Sequence, residues 1–107
     1  MRAAASFAIV LCTCPEDAAA MLARSLVDAK LAACVNLLPA GRSIYRWQGK
    51  VTQDTETLLV IKTTQVALER LERHLTKIHP YEVPELLVVD IAQGNAEYLD
   101  WLAGHVV

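Results

Sequence analysis

The apolar residues of this chain switch from strand-like to helix-like spacing and back again in one order, and few folds accommodate that order. Residues Phe7 to Cys12 are apolar throughout, which predicts a first strand buried on both faces or placed centrally in a sheet. Pro15, Glu16 and Asp17 open a helix, since proline suits the first turn and acids suit the positive end of the dipole. Its apolar face is Ala19, Leu22, Ala23, Leu26 and Val27. Cys34 to Leu38 and Ser43 to Gln48 predict one long strand, bent at Pro39-Ala40-Gly41. The turn Gln48-Gly49-Lys50 then returns it through Val51 and Thr57 to Lys62 as a hairpin. Thr64 is placed to cap a second helix with Leu68, Leu71, Leu75 and Ile78 inward, ending at His79-Pro80. Leu86 to Ala92 reads as a fourth strand, and Gly94-Asn95 introduces a last helix carrying Tyr98, Leu99, Trp101 and Leu102, stopped at Gly104. Strand, helix, strand, strand, helix, strand is the split βαβ, ferredoxin-like order of the α+β class. It sets two crossover helices on one face of a four-stranded antiparallel sheet, here with an added C-terminal helix.

A chain of 107 residues has room for a single core, so one domain over residues 1–107 is expected. An apolar fraction of 54% is high for so small a globule, and some of that surface is expected in a subunit interface. The net charge is −2 and the ten Lys and Arg residues are scattered, which argues against nucleic acid as a partner. Phe7 to Leu11 and Leu86 to Val89 are too short to cross a bilayer, which takes about 20 residues, so no membrane segment is expected. Residues Met1 to Ser6 read as a frayed terminus rather than a signal peptide. Three cysteines, an odd number without a secretory signal, point to free thiols in a reducing compartment, the cytoplasm.

Four segments resemble the CutA divalent-cation-tolerance family: Lys30 to Asn36, Ser43 to Lys50, Leu59 to Thr63, and above all His79-Pro80-Tyr81-Glu82-Val83-Pro84-Glu85. Gly94-Asn95 with Tyr98, Leu99 and Trp101 also fits the family's ending. The resemblance implies a homotrimer connected with tolerance of divalent metals, copper especially, and no catalytic reaction. It further implies a metal site built from the strand-one cysteine and the histidine at the helix-two exit, which are Cys12 and His79 here. Some bacterial members carry a second histidine where this chain has Ile78. A thiolate, one imidazole and Glu85 then remain, so copper(II) or another divalent cation is expected to bind weakly.

On their own chemistry, Cys12 and Cys14 would share one face of a continued strand and offer a soft metal two thiolates. Burial statistics favour the plainer reading, a core thiol at Cys12 and a helix-entry residue at Cys14, and Cys34 reads as packing. His79, before a proline, leaves the helix in an extended conformation where its ring can ligate a metal or bond backbone carbonyls. Tyr81, Glu82 and Glu85 lack the nucleophile–base pair that an acid–base enzyme needs. His74 and His105 read as solvated. Tyr45 and Trp47 suit interface anchors. A second reading is a PII-like trimer binding small molecules between subunits, with Arg42, Arg46 and Lys50 lining the cleft. An acylphosphatase-like enzyme would need an arginine after strand one, where Thr13-Cys14-Pro15 offers none.

Overall fold

A computed structural model describes residues 1–107. Its strands are β1 (Arg2–Ala3), β2 (Phe7–Cys14), β3 (Cys34–Trp47), β4 (Lys50–Thr64), β5 (Leu87–Asp90) and β6 (Gln93–Gly94), and its helices are α1 (Glu16–Asp28), α2 (Leu68–Ile78) and α3 (Ala96–Gly104). Four strands form an antiparallel sheet in the order β3-β4-β2-β5. With α1 and α2 as crossovers this is the ferredoxin-like arrangement expected from the element order, and α3 is the expected addition.

α1 and α2 cover one face of the sheet, and α3 reaches only the Phe7 end of the other. Val10, Cys12 and Cys14 of β2 and Leu59 and Ile61 of β4 meet Leu22 and Leu26 of α1 and Leu71 and Leu75 of α2 in one core. The alternate residues of β2, Ile9, Leu11 and Thr13, are only half-buried. β2 is central in the sheet, between β4 and β5, as the alternative to double burial has it; beyond Phe7, which packs on Leu99 and Leu102 of α3, its second face is only partly covered within this chain. The strand also runs two residues past Cys12, to Cys14, because β4 pairs with it as far as Thr57.

Four other expectations change. The N-terminus is not frayed: β1 pairs with β6 in a small second sheet, and Ala4 is fully buried with Phe7, Leu99 and Leu102. That second sheet also shortens the fourth strand, which ends at Asp90 so that Gln93–Gly94 can turn to meet β1. Thr64 makes no cap bond, because it still belongs to β4 and a single 3₁₀ turn, Gln65–Ala67, intervenes before α2. His74 is not solvated; its Nε2 lies 2.8 Å from the Ser25 hydroxyl and ties α2 to α1. His105 is exposed, as expected, and its ring packs against Trp101.

The hairpin gives the molecule its shape. Gln48 and Gly49 both have positive φ, 49° and 79°, the two-residue turn that matches strand twist. Since β2 pairs only with Thr57–Thr64 of β4, the outer half of the hairpin, Gly41–Trp47 against Lys50–Glu56, extends beyond the sheet. The long axis reaches 45 Å against 25 and 22 Å. A bulge between Leu38 and Gly41 marks where the hairpin leaves the sheet. Gly41 is needed there, because a Cβ would sit 2.9 Å from the Glu56 carbonyl oxygen.

Candidate functional site

The end of β2 carries an unusual density of polar and sulfur-bearing side chains. β5 pairs with β2 only as far as Leu11, so Thr13 lies beyond its reach. His79 fills that gap. It is the first residue after α2, held extended (φ −70°, ψ 137°) by the following proline, and its ring turns back toward β2. Its Nε2 is 2.9 Å from the Thr13 carbonyl oxygen, and its Nδ1 accepts the Tyr81 amide N–H at 3.0 Å. Because an amide can only donate, Nδ1 carries no proton, and the neutral ring donates from Nε2 to Thr13. The Cys12 thiol contacts the same Thr13 oxygen at 3.6 Å.

Two of the residues named from the sequence, Cys12 and His79, therefore converge on one carbonyl. Glu85 is exposed on the approach to β5, near enough for its charge to act on Cys12. No three His, Cys, Asp or Glu side chains are grouped closely enough to hold an ion as they stand. The donor chemistry suits a borderline or soft cation, a thiol and an imidazole side by side, but both ring nitrogens are engaged. A cation on Nε2 must displace the bond to Thr13 and the proton that makes it.

Electrostatics at this end are acidic. Burial first, then the charges of Cys14, Glu85 and Glu56, push the Cys12 thiol up to about 12. Burial, then Glu56, Glu16 and Asp17, push Cys14 up to about 11. Both thiols are wholly buried and protonated at neutral pH, which makes them poor nucleophiles. Cys34, expected to be packed, is instead half-exposed beside the Lys62 ammonium at 3.8 Å.

Glu56 is the residue that sequence reasoning passed over. It lies in the polar run Gln53-Asp54-Thr55-Glu56-Thr57, which reads as solvated strand, yet only 9% of it is exposed. It pairs with Gly41, next to the bulge, and is covered by Tyr81, which nothing in its own segment signals. The Tyr81 hydroxyl donates to its carboxylate at 2.6 Å, and the Tyr81 ring packs on His79 with centroids 4.8 Å apart. Burial, followed by that bond and the Glu56 charge, raises the phenol well above its ordinary range. Thr57 donates in turn to Glu16 at the start of α1. Tyr81→Phe strands a buried carboxylate, and is expected to cost about 1–3 kcal/mol in urea denaturation at neutral pH. Pairing it with Glu56→Leu should recover most of that loss.

Comparisons with known proteins agree with this architecture. The family described as CutA1 divalent ion tolerance protein matches residues 8–105. The divalent-cation tolerance protein CutA of Thermus thermophilus is 52% identical over 95 residues, covering 88% of this chain and 92% of that one. The crystal structure of CutA1 from Oryza sativa superposes with a TM-score of 0.94 at 41% identity, over 97% of this chain and 96% of that one. A structure titled PII-like protein CutA, from Nostoc sp. PCC 7120 in apo form, gives 0.88 at 35% identity over 94% and 97%. With nearly the whole βαββαβ unit matched in sequence and in shape, this chain belongs to the CutA divalent-cation tolerance family.

Proposed function

We propose that this protein is a homotrimer that binds copper(II) or a similar divalent cation weakly at Cys12 and His79, with Glu85 as an outer ligand, and that it acts by binding rather than by turnover. The observation that carries the metal reading is the convergence of the Cys12 thiol and the His79 ring on the Thr13 carbonyl. Weak affinity follows from three costs. The thiol must be deprotonated in an acidic, buried setting; the ring must give up Thr13; and Ile78 supplies no second imidazole. The two protonated core thiols favour a binding role over nucleophilic catalysis. Three free cysteines favour a reducing compartment such as the cytoplasm, and no helix is long and apolar enough to cross a membrane.

The trimer is supported by what one chain leaves uncovered. Ile44, Trp47 and Val51 on the projecting hairpin are each more than 60% exposed, and β5 at the sheet edge exposes Leu87, Val88 and Val89. An edge of that kind in a small protein is normally paired or covered.

Titration with Cu(II) tests the site. The wild-type chain should bind weakly, Cys12→Ser and His79→Ala should each weaken binding about tenfold or more, and Ile78→His should strengthen it. If both loss variants bind like wild type, the Cys12–His79 reading fails. The Nostoc relative's PII-like description favours a second reading, a small anion held near Arg42, Arg46 and Lys50, all exposed on the hairpin. Retention of a nucleotide by the wild type, lost in Arg42→Ala, would support it.

A further inference from the structure

The three thiols of this chain meet two environments. Cys12 and Cys14 are wholly buried, whereas Cys34, the first residue of β3, is half-exposed on the face that α1 and α2 leave open. Directly across from it in the register stands Lys62 of β4, itself paired with the half-buried Ile9 of β2. The Lys62 ammonium donates to the Cys34 Sγ at 3.8 Å, the one hydrogen bond its side chain makes. No carboxylate holds it: the two ion pairs of the chain, Arg2–Asp100 and Arg73–Glu69, lie elsewhere. Tyr98 of α3 stands beside the pair, its phenol raised by burial first and then by charge on Cys34. Side chains directly opposite on neighbouring strands have Cβ atoms about 4.5–5.5 Å apart, so sulfur and nitrogen can meet without backbone movement.

That juxtaposition has a chemistry that neither residue has alone. An oxidant entering from solvent reaches Cys34 before either core thiol. Hydrogen peroxide converts an accessible thiol to a sulfenic acid, and a sulfenic acid condenses with a neighbouring nitrogen to a sulfenamide. Lys62 supplies the nitrogen, and with no carboxylate to retain its proton it can react as the free amine. Overall the thiol, the ammonium and one peroxide give one S–N bond, two waters and a proton. The S–H bond and two N–H bonds break, and the two electrons lost by the pair reduce the peroxide O–O bond.

We propose that Cys34 and Lys62 form a peroxide-responsive cross-link between β3 and β4, a sulfenamide joining Cys34 Sγ to Lys62 Nζ. Its formation removes the Lys62 charge from the open face and ties the two strands covalently at their first paired position. A thiol reductant cleaves the bond and restores both side chains, with two reductant thiols oxidised to a disulfide, so the device is reversible in a reducing compartment.

The test treats the full chain with a few equivalents of hydrogen peroxide in the presence of a metal chelator, and follows it by intact mass and peptide mapping. The expected product has lost two hydrogens, joins the peptides that carry Cys34 and Lys62, leaves Cys12 and Cys14 free for alkylation after denaturation, and reverts with dithiothreitol. Lys62→Arg keeps the charge but offers no primary amine; it should lose the product completely and stop at a sulfenic acid that dimedone captures. Cys34→Ser should lose both species. The wild-type peptide map decides the linkage even if a variant folds poorly. A cross-link that includes Cys12 or Cys14, a product undiminished in Lys62→Arg, a wild-type sulfenic acid that never loses water, or failure of peroxide to modify Cys34 would overturn the proposal. The chelator keeps this outcome separate from the Cys12–His79 reading.

Discussion

Trp47→Ala is expected to cost about 3–5 kcal/mol of assembly stability, the range for truncating a buried large aromatic, and to cost the isolated chain almost nothing. The contrast follows from exposure. In one chain Trp47 is 61% exposed at the tip of the hairpin, beside the two-residue turn, so removing it there opens no cavity. Any large loss must come from contacts with another copy. Ile44 and Val51 lie on the same projecting segment, 68% and 69% exposed, and would share that interface. Light scattering at micromolar concentration should give three times the subunit mass for the wild type and a smaller species for the variant. Denaturation midpoints should rise with protein concentration for the wild type, because dissociation and unfolding are then linked. A wild-type mass of one subunit, or a variant indistinguishable from it, would remove the trimer from this account.

The fold was legible because its signals are local and repeated. The 3.6-residue spacing of Leu22 and Leu26, and of Leu71 and Leu75, selects the buried faces of α1 and α2, and Gln48-Gly49 selects a tight hairpin. Cys12 and His79 were legible through family resemblance, not through spacing, since 66 residues separate Thr13 from the ring that bonds it. What stayed hidden depends on long-range packing. Ala4 is buried because β1 meets β6 some 90 residues later, and no pattern in Met1 to Ser6 announces it. Glu56 is buried beneath Tyr81, 25 residues further along the chain, while its own neighbours are polar. His74 sits on the charged face of its own helix, and only the packing of α1 brings Ser25 to it as a partner.

Stability is expected to fall steeply above pH 9, with the two core thiols as the main cause. The thiol of Cys12 ionises near 9.0 when exposed and near 12 in the fold, so the folded state disfavours the thiolate. Below the unfolded value both states hold the proton and nothing is lost. Between about 9 and 12 the unfolded chain releases a proton that the folded chain keeps, and the equilibrium shifts toward unfolding. Three pH units at 1.36 kcal/mol each correspond to about 4 kcal/mol by pH 12 for Cys12. Cys14, raised to about 11, acts over the lower part of the same window, and because its charge is among the causes of the Cys12 shift the two effects overlap instead of adding. Urea denaturation under reducing conditions at intervals from pH 8 to 11 should trace the decline. In Cys12→Ala/Cys14→Ala the stability at pH 8 should be lower, because buried volume is lost, but the slope above pH 9 should flatten. A double variant that declines as steeply as the wild type would assign the effect to Tyr81, whose phenol is also raised, and its bond to Glu56.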